Sequence, residues 1–198
     1  MIDSVQALTD VPEEALTRLH RRLEADAADH DLLDIAYRTV ETPVGELLLA
    51  ATTRGLVRIA YASEGWDAVL QSLAAKISPR ILRAPRRLDA AATQLDDYFT
   101  GHRKSFQLPL DLRLSTGFRR SVLEHLRGIG YGSTESYAAV AAATGHATAV
   151  RAVGSACATN PLPVVVPCHR VLRSDGSLGG YLGGLAAKRT LLDLEAAA

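Results

Sequence analysis

Residues 160–171 read Asn160-Pro161-Leu162-Pro163-Val164-Val165-Val166-Pro167-Cys168-His169-Arg170-Val171. Prolines at 161, 163 and 167 restrict the backbone around an apolar run, so Cys168 is expected in a fixed position. The adjoining His169 and Arg170 predict polar, electropositive surroundings, which favour the thiolate, the nucleophilic form of cysteine. Neighbouring side chains point in different directions, so a relay from Cys168 to His169 through a water is easier to arrange than direct contact. A lone cysteine is otherwise a small buried hydrophobe. Here its flanks point to chemistry.

Working outward, the stretch before this run is helical. Phe118, Val122, Leu123 and Leu126 share one face of a helix that Gly128, Gly130 and Gly132 end. Thr134 or Ser136 caps a second helix, Tyr137 to Ala143, and Thr144-Gly145-His146 makes a turn. Thr148 is placed to cap a third helix, carrying Arg151 and running to about Ala158. Two short helices about a tight glycine turn form a helix-turn-helix pattern, which by itself many helical domains share without touching DNA. After the cysteine, Gly183-Gly184 follow Tyr181 and leave room for backbone to approach a flat ligand.

Further upstream the periodicity changes. Ile35 to Ala62 holds β-rich runs broken at Thr42-Pro43-Val44-Gly45 and Arg54-Gly55, which predicts three strands in an antiparallel meander. Trp66 to Ala75 and Leu88 to Phe99 read as helices, with Gly101 a stop signal for the second. Lys104 to Leu114, with Pro109 inside, reads as a linker. At the N-terminus, Ala15, Leu16, Leu19 and Leu23 with Glu13 and Glu14 predict an amphipathic helix from about Pro12 to Ala28. The fold expected is α+β: an acidic helical extension at 1–34, a small sheet domain at 35–110 and a mainly helical domain at 111–198.

Of the 198 residues 47% are hydrophobic, enough for one good core and smaller ones beside it. No stretch approaches the roughly 18 apolar residues that cross a bilayer, and the N-terminus lacks a secretory pattern, which predicts no membrane association and a cytoplasmic location. Two cysteines, Cys157 and Cys168, in one C-terminal stretch suit thiols kept reduced, and no Cys/His cluster has zinc spacing. The net charge of zero hides an asymmetry. Residues 1–34 carry nine acids against three arginines, whereas residues 101–190 carry eleven Lys or Arg against four acids. The C-terminal half is therefore the side that could face a polyanion, and the acidic helix is expected to pack on the N-terminal domain away from it.

The chain resembles the O6-alkylguanine-DNA alkyltransferases, the methylated-DNA-protein-cysteine methyltransferases. The resemblance is carried by Pro-Cys-His-Arg-Val at 167–171, Arg-Ala-Val-Gly at 151–154, Asn160-Pro161 and Tyr181-Leu182-Gly183-Gly184-Leu185. It implies an RNase H-like sheet domain followed by a winged-helix-like helix-turn-helix domain, and leaves residues 1–34 outside. It implies that Cys168 takes the alkyl group from O6-alkylguanine, and from O4-alkylthymine, in a single turnover that consumes the protein. His169, through a water, and Glu195 form the proton relay, Asn160 is the hinge between recognition helix and active-site loop, and Tyr137 donates a proton to the departing base. Substrate-binding positions are Val171, Tyr181, Leu182, Gly183 and Lys188. Duplex DNA bound through the minor groove would meet Arg151, which replaces the flipped nucleotide, together with Ser136, Ala149, Val150 and Ser174. Leu182 departs from relatives that carry a small polar residue there. Neither metal nor cofactor is implied, and a monomer is expected.

Blander readings attach to several of these positions: Glu195 as a frayed surface carboxylate, Lys188 as a surface lysine, Tyr137 as core packing. Rival functions also exist. A damage-sensing relative without transfer would lack the cysteine. A Cys-His hydrolase or redox enzyme needs a base that reaches sulfur directly, and a regulatory fusion needs zinc-binding cysteines that this sequence does not show.

Overall fold

The computed structural model describes residues 12–197. Strands β1 (Ile35–Val40), β2 (Leu47–Thr52) and β3 (Gly55–Tyr61) form the expected antiparallel meander. The first turn is set by Thr42, whose hydroxyl donates to Gly45 O at 2.6 Å and accepts from Val44 N at 3.2 Å. Strand β2 is apolar as far as Ala51 yet obeys the period of two, with Leu47 and Leu49 in the main core and Leu48 and Ala50 in a second, smaller cluster. Such a strand is covered on both faces. On the smaller cluster lies α2 (Trp66–Lys76), through Val69 and Leu73; on the main core lies α3 (Asp89–Phe99), through Ala91, Leu95 and Tyr98.

A fourth strand, β4 (Ile81–Arg83), was not expected; it pairs parallel with β1 and completes the order β3-β2-β1-β4. Three residues carry no legible period, and only the free edge of β1 makes them a strand. The segment read as a linker is clamped along β3. Leu56 N donates to Pro109 O at 2.9 Å and Asp111 N to Leu56 O at 2.8 Å. Gly55 permits this approach, since a Cβ there would stand 2.1 Å from Pro109 O.

Helix α1 (Glu13–Asp29) lies outside the sheet next to β4, where His20 Nε2 meets Arg83 O at 2.5 Å. Among the described residues no helix is long and apolar enough to cross a membrane.

The C-terminal part comprises α4 (Gly117–Leu126), β5 (Glu135–Ser136), α5 (Tyr137–Ala143), α6 (Val150–Ala158), β6 (Val171–Leu172) and α7 (Gly184–Ala196). Ser136 caps α5 as expected, its hydroxyl accepting from Ala139 N at 3.0 Å. Thr148 does not cap α6. The N-cap is Ala149, which offers no side-chain acceptor, and the preceding turn is closed instead by Ala149 N donating to His146 O at 2.8 Å. The helices α4, α5 and α6 pack together through Val122, Leu126, Val140 and Val153. The main core is continuous from β2 to α7, so α3 faces α7 across it. Parallel pairing of β5 with β6, Glu135 opposite Val171, brings the start of the helix-turn-helix beside the residues that follow Cys168.

Candidate active site

All twelve residues from Asn160 to Val171 are buried. A loop this deep must satisfy its polar groups internally, and Asn160 does much of that. Its amide donates to Val166 O at 2.8 Å and to Cys168 Sγ at 3.1 Å, while its oxygen accepts from Leu162 N at 3.0 Å. From the other side, Ile59 N of β3 donates to Pro161 O at 2.8 Å. Within this frame Val164 sits at φ 73°, a left-handed conformation unfavourable for a β-branched residue, and the surrounding bonds hold it there.

Cys168 opens a 3-10 turn, Cys168–Arg170, and its sulfur-bearing residue is only 1% exposed. Burial pushes the thiol up to about 11, against the Asn160 hydrogen bond and the Lys188 charge, which draw it down. The expected electropositive surroundings are therefore corrected: at neutral pH this is a thiol that a base must deprotonate. Arg170 is turned away from the sulfur. Its Nη2 and Nε reach Glu195 at 2.7–3.1 Å and its Nη1 donates to Ile129 O. Lys188 carries the nearer charge. It is fully buried, not a surface lysine, and Nζ donates to Val171 O at 2.6 Å.

Glu195 is 4% exposed in α7 and far from frayed. Oε1 meets His169 Nε2 at 2.9 Å and accepts from Tyr98 OH at 2.7 Å; Oε2 accepts from Gly132 N at 3.1 Å. Burial would raise this carboxyl, but the hydrogen bonds from His169 and Arg170 outweigh it and hold it at about 2. His169 is fully buried, and burial lowers its pKa despite the carboxylate, so the ring is neutral near pH 7. Its Nδ1 has no protein hydrogen-bond partner.

The sequence that builds this arrangement is matched by a known family. Residues 35–112 match the family model "6-O-methylguanine DNA methyltransferase, ribonuclease-like domain", and residues 117–197 match its "DNA binding domain". A Bacillus subtilis methylated-DNA–protein-cysteine methyltransferase, the constitutive one, is 40% identical over 163 residues, spanning 80% of this chain and 94% of that protein. This chain belongs to that family. A crystal structure of Mycobacterium tuberculosis O6-methylguanine methyltransferase superposes with a TM-score of 0.73 at 36% identity, covering 82% of this chain and 93% of that one. The structure of Mycobacterium tuberculosis OGT in complex with DNA has a TM-score of 0.72 at 36% identity, with the same coverage.

Beside this methyltransferase centre stand the other positions singled out from the sequence. Tyr137, first residue of α5, is half-buried; its ring lies 6.0 Å from Lys188 Nζ and fills the space at Gly179, where a Cβ would come within 2.4 Å of the phenol oxygen. Burial and the two thiols push its phenol up to about 12. Tyr181 and Leu182 are half-buried, the Tyr181 ring edge-on to His169 at 6.4 Å. Gly183 does permit a close approach, but by the protein's own Tyr61: a Cβ there would stand 2.5 Å from that ring. Tyr61 OH in turn lies 2.9 Å from Tyr181 OH.

On the outer face, Arg151 is exposed in the first turn of α6, Val150 is 38% exposed, Ala149 and Ser136 are half-buried, and Ser174 is exposed past β6. Ser136, already a cap acceptor, retains its hydroxyl proton for donation. Three contributors escaped the reading of the sequence. Tyr98, Tyr61 and Gly132 reach the site from α3, β3 and a loop, and each looks like core or turn when taken alone. A groove of about 450 Å³ lined by Arg58, Arg119, Asn160 and Leu182 opens next to the sulfur's hydrogen-bond donor.

Proposed function

We propose that this protein repairs alkylated duplex DNA by transferring the alkyl group of O6-alkylguanine, and of O4-alkylthymine, to Cys168. The observation that carries the reading is the joined arrangement of Asn160 on Sγ and of His169 on Glu195, with His169 Nδ1 left without a protein partner. The sulfur attacks the alkyl carbon; an S–C bond forms and the C–O6 bond breaks. The thiol proton passes through a bridging water to Nδ1, and Glu195 stabilises the imidazolium that results. Tyr137, its phenol protonated, supplies a proton to the departing base, which leaves as ordinary guanine. The thioether has no easy leaving group, so each molecule acts once.

A base inside a duplex is out of reach, so the nucleotide is flipped at a cost of a few kcal/mol. Arg151 on the exposed start of α6 enters from the minor groove to take its place, and Ser136, Ala149, Val150 and Ser174 meet the backbone around it. With Cys168 1% exposed, the base reaches the sulfur only as the Tyr181–Gly183 segment yields. There Val171, Leu182 and Gly183 present backbone to the base edge, Tyr181 packs on its face, and Lys188 holds Val171 in place. A monomer suffices for these steps, in the cytoplasm.

Intact-protein mass spectrometry after incubation with an O6-methylguanine duplex tests this. The expected result is a gain of one CH2 on the Cys168 peptide, absent in Cys168→Ser, which still binds the duplex; an unmodified Cys168 after prolonged incubation overturns it.

A further inference from the structure

The carboxylate of Glu195 is shared unevenly. Oε1 takes Tyr98 OH at 2.7 Å, Arg170 Nη2 at 2.7 Å and His169 Nε2 at 2.9 Å, while Oε2 takes Gly132 N at 3.1 Å; Arg170 Nε is shared, at 2.9 Å from Oε2 and 3.1 Å from Oε1. Donors from three residues on one oxygen compete for the same electron density, so each weakens what the others receive. Of the three, only Tyr98 comes from outside the C-terminal part; it projects from α3 across the common core.

The geometry points to Tyr98 as a positioning residue of the proton relay: its hydroxyl holds Glu195 Oε1 in place and limits how strongly that oxygen draws a proton onto His169. This rests on the relay proposed above. Tyr98 is fully buried, with its ring 5.3 Å from Phe99, 5.2 Å from Phe106 and 5.9 Å from Tyr131, centroid to centroid. Those contacts fix the hydroxyl independently of the bond it makes. Burial, and after it the charge of Glu195, push the phenol far above its usual range, so Tyr98 is a permanent donor and never a charge. The other groups facing the pair are Arg170 on the same turn as His169, Lys188 on α7 and the Tyr181 ring; Arg170 and Lys188 oppose protonation of the imidazole. Tyr98 works in the same direction by a different route, since it drains the acceptor. The relay base thus stays neutral and ready while its orienting carboxylate stays ionised.

Removing only the hydroxyl, Tyr98→Phe, keeps the ring contacts and leaves Oε1 to Arg170 and His169. The stronger pull raises the imidazole pKa, so the base is lost to protonation at higher pH. Transfer from an O6-methylguanine duplex is expected about fivefold slower than in the unaltered protein at pH 6 and within about twofold of it at pH 8.5, with duplex affinity unchanged. Titration of the His169 ring nitrogens by NMR reads the same shift without any transfer, and is expected to move to higher pH in the variant. Tyr37→Phe, in the smaller cluster away from the site, is the control. A variant whose His169 titration and pH profile superpose on those of the unaltered protein overturns the inference, as does a rate loss equal at every pH. Absence of transfer in the unaltered protein instead overturns the proposed function, and the NMR titration still decides the role of Tyr98.

Discussion

Helix α6 and the loop that follows it are adjacent in the chain and obey opposite requirements. The helix leaves Val150 38% exposed and Arg151 in solvent, whereas every residue from Asn160 to Val171 is buried. A surface that meets a polyanion needs charge in water and side chains free to move, and its residues cost the fold little when changed. A thiol whose proton must leave toward one chosen base needs fixed donors and no competing solvent. The loop therefore carries stability together with the buried thiol, and the proposed function leaves recognition to the helix surface.

That contrast can be broken at its strongest point with Glu195→Gln. The substitution keeps the shape but leaves the buried Arg170 guanidinium without a counter-charge, at a cost of about 3 kcal/mol. The pH dependence follows the same group. A carboxyl held at about 2 in the folded protein and 4.5 in the unfolded chain contributes stability that is fully present above pH 4.5 and lost as pH falls toward 2. The loss is about 3 kcal/mol, and denaturant unfolding between pH 6 and pH 2 should show that step in the unaltered protein and lack it in the glutamine variant.

A smaller effect is expected from Asn160→Ala. It orphans the buried Leu162 N–H and leaves Val166 C=O with Cys168 N as its remaining donor, at a cost of about 2 kcal/mol. It also removes the donor on Sγ, so the thiol rises above about 11 and transfer from free O6-benzylguanine at pH 8 falls about tenfold. Unchanged thiol reactivity would show that the Asn160 bond does not tune the sulfur.

The smallest effect on stability, under about 0.5 kcal/mol, is expected for Arg151→Ala. Transfer from duplex DNA falls about tenfold while transfer from free O6-benzylguanine is retained. Equal loss on both substrates would erase the division of labour between helix and loop.

Much of this was legible from residue order. β-rich runs with turn signals at Thr42–Gly45 and Arg54-Gly55 specify the meander, because strand propensity and turn chemistry are local properties. The run from Asn160 to Val171 marks the nucleophile, because proline restriction and side-chain chemistry are local as well. Other features depend on what lies opposite. Ile81–Arg83 becomes a strand only beside β1. Arg170 looked like an electropositive neighbour of sulfur, yet the carboxylate of a helix that begins 14 residues later claims it.

Residue order by itself determined which side chains could do chemistry and in what local conformation they are held. Tertiary structure alone decided their charge states. Burial raises the Cys168 thiol, Glu195 is kept ionised by donors that include His169, Arg170 and Tyr98, and Lys188 is brought inside. The physical reason is that a protonation state reflects the sum of desolvation and nearby partners, and those partners come from α3, α7, the 160–171 loop and the loop at Gly132, which meet only once the core has closed.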